Sequence, residues 1–373
     1  MATRKTPTKK ITFASELMAA VARQHGPDKV VTLDSRDLDV SGVFSTRNPG
    51  LDRAIGRGGV PWGRVTIWHG TEGSGKTTAA LEVIAEAQET GVELAGFIDA
   101  EHKLDPEYAA RLKVDRKDLL YFRPRTLEET VDMMRLAIDR LKSRRSKKSS
   151  TNRPSILCLD SLNSANAEAR LKGDIGDAHI APEARIWSSH MSEIAEGAKR
   201  VDLALMLISQ VRKKIGVMFG DANEIAGGQS VKHAASLVIF VSRIGTVKKT
   251  RNGKQIKIGS ELSFDCKKNQ IAPPFQKSTG RLIWGRGFDF GDGLLRECKD
   301  RKIVLPYKKG LTFEGELIGN NWNACLRALK EDPELLDELV RKHRGTISTD
   351  ALDVDPPGTI PSDSGGEDDE DEI

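Results

Sequence analysis

The sequence is poor in the features that mark several large classes of protein. Aromatic residues make up only 5% of its 373 residues. No apolar run approaches the roughly 20 residues needed to cross a bilayer, so no membrane partner is expected. The opening Met1-Ala2-Thr3-Arg4-Lys5 leads into no hydrophobic stretch, which argues against a secretory signal. The four cysteines, Cys158, Cys266, Cys298 and Cys325, have no paired spacing, and this speaks against a disulfide framework or a zinc cluster. A reduced, cytoplasmic setting is expected.

Charge, by contrast, is abundant and unevenly spread. Charged residues are 30% of the chain with a net charge of +4, yet seven acids and no Lys or Arg lie between Asp363 and Glu372. A basic body with an acidic tail suggests a surface for a polyanion and an appendage able to compete for it; a merely solubilising tail is the other reading. Seven cations (Arg140, Lys142, Arg144, Arg145, Lys147, Lys148 and Arg153) and no acid fall between 140 and 153. With Ser and Thr among them, this stretch reads as a mobile surface loop.

Ala14, Leu17, Met18 and Val21 recur at helical spacing and predict a short amphipathic helix, cut off by Gly26-Pro27-Asp28. It could pack on its own domain or on a neighbouring subunit. From about Val65 to Val241, short apolar runs alternate with helix-like stretches. Val65–Trp68, Leu94–Ile98, Ile156–Leu159, Leu203–Ile208 and Leu237–Val241 read as strands, and 76–89, 127–142 and 182–199 as helices. That alternation predicts an α/β fold with a mostly parallel central sheet. Past about 285, Asn323–Leu329 and Pro333–Val340 read as helices, the second capped by Asp332 and ended by Gly345. The expected organisation is a basic segment and oligomerisation helix over 1–44, a core over 45–285, a small α+β domain over 286–345 and a disordered acidic tail over 346–373.

Gly70-Thr71-Glu72-Gly73-Ser74-Gly75-Lys76-Thr77, followed by Thr78, fits the G-x-x-x-x-G-K-[ST] phosphate loop at every fixed position. It also sits between an expected strand and an expected helix. Glycines let the backbone curl and aim its N–H groups at phosphate oxygens. Lys76 would reach the β- and γ-phosphates of ATP, and Thr77 would hold Mg2+. Asp160 ends the apolar run Ile156-Leu157-Cys158-Leu159 and is the expected second Mg2+ residue. These residues predict nucleotide binding without saying what the energy drives.

Longer strings narrow the choice. Phe97-Ile98-Asp99-Ala100-Glu101-His102-Lys103-Leu104-Asp105-Pro106, Gly173-Asp174-Ile175-Gly176-Asp177, Ile215-Gly216-Val217-Met218-Phe219-Gly220 and Gly58-Gly59-Val60-Pro61-Trp62-Gly63-Arg64 resemble segments of the RecA family of bacterial and phage ATP-dependent DNA recombinases. The resemblance runs from about residue 11 to 340. It implies a RecA-type core and a DNA-dependent ATPase that forms filaments on single-stranded DNA, pairs them with homologous duplex DNA and exchanges strands in DNA repair and the SOS response. Glu101 would orient or deprotonate the attacking water. Gln210 would sense the γ-phosphate, and Lys268 would reach a neighbouring subunit's ATP. Asp105, Tyr108 and Trp284 would contact adenine, with core packing an equal competitor for Tyr108 and Trp284. Two DNA loops are implied, about 172–181 and 210–228. Arg185, Ser188, Arg212 and Lys214 would meet phosphates, Gly227, Gly228 and Gln229 would allow close backbone approach, and Ile180 and Ile215 would wedge between bases. The bacterial relatives also promote self-cleavage of a repressor, a partner on which these residues are silent.

Two alternatives share the phosphate loop. A hexameric RecA-core helicase motor would predict a closed ring, and a small-molecule kinase would need a lid and an acceptor pocket; neither accounts for the loop strings. The chain departs from the family pattern at Ser192, where an arginine is usual, in the length of its basic 140–153 stretch, and at Gln270, where a second lysine two residues after Lys268 is usual. Neighbouring strand residues point to opposite faces, so Lys267 does not replace it. Gln270→Lys should therefore raise DNA-stimulated ATP turnover, measured as the ratio of rates with and without single-stranded DNA; an unchanged or lower ratio removes the argument.

Overall fold

Aliphatic and β-branched runs bounded by turns build the centre of the molecule, a computed structural model that describes residues 13–26, 30–31, 40–146, 152–164, 166–167, 182–213 and 223–350. The chain divides into two units, Met1–Ser41 and Gly42–Ile373. The first contains α1 (Phe13–His25), with Glu16 in its first turn and Arg23 and His25 in its last, the polarity that the helix dipole favours.

The second unit begins with β1 (Val43–Phe44), α2 (Pro49–Ile55) and β2 (Val60–Pro61), then alternates β3 (Val65–Gly70), α3 (Lys76–Thr90), β4 (Leu94–Asp99), α4 (Pro106–Arg111), β5 (Leu119–Phe122), α5 (Leu127–Arg145), β6 (Ser155–Asp160), α6 (Pro182–Arg200) and β7 (Leu203–Gln210). Next come β8 (Arg212–Lys213), β9 (Asn223–Glu224), α7 (Gly228–Ala234), β10 (Leu237–Arg251), β11 (Lys254–Asn269), β12 (Lys277–Ile283) and β13 (Gly287–Phe288). A nine-stranded sheet runs in the order β13-β12-β11-β10-β3-β7-β6-β4-β5. From β10 to β5 neighbouring strands are parallel, while β11, β12 and β13 extend the sheet antiparallel. The expected α/β fold is what forms.

Both faces of this sheet are covered, so its central strands are mostly apolar, with Thr66, His69, Ser155 and Ser209 the buried polar exceptions in β3, β6 and β7 before their C-terminal ends. Alternate residues of β7 enter opposite cores. Ala204, Met206 and Ile208 join Trp68, Leu81 and Ile84 on the α3 side, and Leu203, Leu205 and Leu207 join Met134, Ile138, Trp187 and Ile194 on the α5 and α6 side. Parallel pairing then aligns the C-terminal ends of the strands, with Gly70 opposite Gln210 and Asp99 opposite Asp160. The chemistry gathers at that edge.

Two expectations need correction. The basic stretch from 140 is not all loop, because α5 runs on to Arg145. Cations are favoured in a helix's last turn, and here Arg145 also binds Asp202 at 2.8 Å and Arg144 pairs with Glu93. Residues 147–151 lie outside the described residues. Nor does Gly345 end its helix. A glycine stops a helix by turning left-handed, and Gly345 is absent from the positive-φ residues. The helix continues past it to Asp350, with Ile347 buried. Residues 346–350, expected to belong to a disordered tail, are therefore helical, and those from 351 onward lie outside the described residues.

The sequence reading also missed the long ribbon of β10 and β11. Asn252 and Gly253, both with positive φ, make the tight turn of a twisted hairpin. At its outer end Lys248 faces Lys257 and Arg251 faces Lys254.

The C-terminal part comprises α8 (Phe290–Asp300), the three-stranded sheet β14 (Leu305–Tyr307), β15 (Gly310–Phe313) and β16 (Glu316–Gly319), α9 (Trp322–Glu331) and α10 (Pro333–Asp350), around its own core of Leu294, Leu295, Leu311 and Leu339. Asp332 accepts from Leu335 N at 3.0 Å, as expected of a cap for α10. Asp292 of α8, only 1% exposed, ties this part to the large sheet. It accepts from Arg281 of β12 at 3.0 Å, Arg296 at 2.6 Å and the Trp322 indole at 2.9 Å. Removing the carboxylate takes an acceptor from the Trp322 indole and from two guanidinium groups that are 35% and 43% exposed and regain water. Asp292→Ala should lower unfolding stability by about 2 kcal/mol in urea melts, with Asp292→Asn losing less.

Candidate active site

The phosphate loop leaves β3 at Gly70 and enters α3 at Lys76. A Cβ on Gly70 would lie 2.2 Å from the Val241 carbonyl oxygen, so the neighbouring strand itself demands glycine there. Gly75 has φ +89, a left-handed turn that starts α3 directly from the loop. Lys76 is buried, and its Nζ donates to the carbonyls of Thr71 at 2.7 Å and Gly70 at 3.0 Å. Burial pulls its ammonium below the usual lysine range, against Asp160, Glu101 and Glu72, which support the charge.

Thr77 donates its hydroxyl to Asp160 Oδ2 at 2.7 Å. Burial pushes the Asp160 carboxyl up to about 6, with Glu101 and Asp99 adding to the rise and the Thr77 hydrogen bond opposing it. A hydroxyl and a carboxylate side by side, next to two further carboxylates and a loop of N–H donors, are the hard oxygen ligands that Mg2+ prefers beside a phosphate. The donor set therefore fits an Mg–nucleotide.

Glu101 follows β4 and is the most heavily engaged carboxylate of the site. Its Oε1 accepts from Ser161 Oγ at 2.8 Å, Ser164 Oγ at 3.0 Å and Gln210 Nε2 at 2.8 Å. Its Oε2 lies 3.2 Å from the Lys103 ammonium. Burial alone would raise its pKa, but the hydrogen bonds from Ser161, Ser164 and Lys103 outweigh it and hold the carboxyl below its ordinary value. Gln210, at the end of β7, is clamped at its backbone by Asn163, which accepts from Gln210 N at 2.7 Å and donates to Gln210 O at 3.3 Å. An open cleft of about 560 Å³ lies over this group, lined by Glu72, Glu101, Lys103, Asn163, Ser164 and Gln210.

Asp99 supports the arrangement from beneath. It accepts from the Glu101 and Leu104 backbone N–H groups at 3.1 and 2.8 Å and from the Tyr121 hydroxyl at 2.7 Å. Burial, and then Asp99 itself, push the Tyr121 hydroxyl up to about 12. Sequence reasoning missed Asp99, Lys103, Ser161, Asn163 and Ser164. The one available signal was Ser161-Leu162-Asn163-Ser164, a polar run directly after the strand that ends in Asp160.

Other expected residues are more dispersed. Tyr108 packs on the core and shares a hydrogen bond of 2.7 Å with Thr78. Asp105 caps α4 by accepting from Glu107 N at 2.9 Å. Trp284, after β12, is 49% exposed. Lys268 Nζ donates to the Lys232 and His233 carbonyls at 2.9 and 3.1 Å, both in the last turn of α7 in its own chain. Arg185 and Ser188 lie on the exposed side of α6, Arg212 pairs with Glu224 in the short β8–β9 ladder, and Gly227, Gly228 and Gln229 start α7. Ile180, Lys214, Ile215, the 172–181 loop and residues 214–222 of the second loop lie outside the described residues.

A phosphate loop feeding a parallel sheet, with a carboxylate–amide pair spanning the ends of β4 and β7 across the intervening β6, defines the class: a P-loop ATPase. The family profile described as the RecA N-terminal domain matches residues 12–289. Protein RecA of Colwellia psychrerythraea is 37% identical over 336 residues, covering 88% of this chain and 91% of that protein. Protein RecA of Mannheimia haemolytica is 33% identical over 342 residues, 91% of this chain and 88% of its own length, and that of Acinetobacter baylyi is 33% identical over 336 residues, 90% and 92%. The chain belongs to the RecA family of DNA recombinases, which are DNA-dependent ATPases, and the helicase reading is set aside. Among the described residues no helix is long and apolar enough to cross a membrane.

Replacing both Ser161 and Ser164 by Ala removes two donors that keep Glu101 ionised. Its pKa should rise, so the acidic limb of the ATPase pH–rate profile should move to higher pH while the rate above neutrality changes less. A limb that stays in place would show that Glu101 does not govern it.

Proposed function

We propose that this chain polymerises as a helical filament on single-stranded DNA, holds the strand for pairing with homologous duplex DNA, and uses ATP to set the shape of the DNA-facing surface. The observation that carries this reading is the 2.8 Å hydrogen bond between Gln210 and Glu101, made at the point where β7 passes into the second expected DNA loop. An amide both donates and accepts, so Gln210 can exchange the Glu101 oxygen for a phosphate oxygen or a water. Its backbone is fixed by Asn163, and the change is therefore felt by the chain that follows.

In this reading Gly70 to Thr78 cradle the triphosphate and Lys76 meets its β- and γ-oxygens. Thr77 and Asp160 would hold Mg2+, which would supply charge neutralisation at those oxygens. Glu101, kept ionised by its hydroxyl donors, orients the attacking water and takes its proton. Tyr108, Asp105 and Trp284 surround the base, and Lys268 reaches the nucleotide of the next copy. Arg185, Ser188, Arg212, Lys214 and the Gly227–Gln229 turn meet the DNA backbone, with Ile180 and Ile215 against bases, α1 serving head-to-tail assembly and the acidic tail competing with DNA. A cytoplasmic site of action goes with this role. Phosphate contacts make DNA binding fall steeply with salt.

Gln210→Ala should keep nucleotide affinity within a few-fold but abolish the stimulation of hydrolysis by single-stranded DNA. ATPase assays with and without DNA, beside electron microscopy of the same samples, test this. Equal rates with and without DNA in the wild type, together with no helical polymer, would sink the reading.

A further inference from the structure

The helix α7 is short, spanning Gly228–Ala234, and Val231 is its one buried residue. A helix of this length is not stable on its own, and its last carbonyls have no partner within the helix. Lys268 supplies one. Its ammonium donates to both the Lys232 and the His233 carbonyl oxygens, at 2.9 and 3.1 Å. The backbone of Lys268 is fixed in β11 opposite Val238, so a rigid strand holds α7 through one flexible side chain. At the opposite end of the same helix lie Gly227 and Gly228, with φ +86 and +80, where the second DNA loop ends.

We propose that Lys268 is a two-position latch: in the free chain it holds α7 by its C-terminal carbonyls, and in the filament it leaves them for a phosphate of the neighbouring copy's nucleotide, releasing α7 and the DNA-facing glycines at its start. The proposal rests on the filament reading above. Two of the ammonium's three N–H donors are taken up by the α7 carbonyls, and Gln270 provides no second cation to share the task. A lysine on a four-carbon stem can swing between the two without moving its strand. A contact made only in the free state stabilises that state, so its loss shifts the population toward the other. Lys268 is in this respect a positioning residue, acting on DNA through α7.

The test uses the full chain without nucleotide. Lys268→Met should speed hydrogen exchange of the amides at the end of α7 about tenfold and tighten binding of a labelled oligo-dT several-fold, whereas Lys268→Arg, which keeps a donor, should stay close to wild type in both. Unchanged exchange, or oligo-dT affinity equal to or weaker than wild type in a folded Lys268→Met chain, overturns the latch. Should that variant fail to fold, wild-type chain polymerised with a non-hydrolysable ATP analogue and no DNA must show the same faster exchange, and retained protection overturns the proposal. A wild type that neither polymerises nor binds oligo-dT with ATP would remove the filament reading itself, and the latch with it.

Discussion

The active centre depends on one constraint: strands that are far apart in sequence end at the same edge of a parallel sheet, in fixed register. Gly70 and Gln210 are direct partners, as are Asp99 and Asp160. Because of that register a single glutamate after β4 can collect hydrogen bonds from a turn after β6 and from the end of β7. Slipping any one strand by a residue would turn its side chains to the other face and break the set. The two hydrophobic cores on either face of the sheet hold the register, which makes catalytic geometry a direct consequence of apolar packing.

Electrostatics around that edge divide the acids by environment. Asp160 is buried and raised, whereas Glu101 is buried less and lowered because hydroxyl and ammonium donors converge on it. Two carboxylates within one cleft thus have different affinities for a proton. One suits the role of a base that must be charged near neutrality, and the other sits beside the hydroxyl that completes a cation's ligands. Lys76 is buried among them, and its charge is sustained by the same acids. No member of the group can be altered without changing the others.

Much of this was legible in the residues themselves. The phosphate loop is local, with spacing and glycines that state their purpose, and the β3, β4, β6, β7 and β10 runs are apolar enough to announce buried parallel strands. The separate roles of Glu101 and Gln210 were suggested by resemblance, but their direct hydrogen bond was not foreseen, because 109 residues separate the two. Ser161, Asn163 and Ser164 were not found, since a polar turn after a strand looks the same whether it serves a site or solvent. The edge strand β5 was missed because its burial is partial and its alternation weak. Gly345 misled because glycine is only permissive: a conformation, not a residue type, ends a helix. The length of α5 was likewise decided by distant partners, Asp202 and Glu93, that no local window contains.

The β10–β11 ribbon carries a consequence for assembly. With Lys248 against Lys257 and Arg251 against Lys254, its outer end is held together by the backbone ladder and the Asn252-Gly253 turn against its own electrostatic pressure. Added salt would firm this hairpin tip rather than loosen it, the reverse of an arm built on ion pairs. Two such arms also push each other away over about 10 Å in 0.1 M salt.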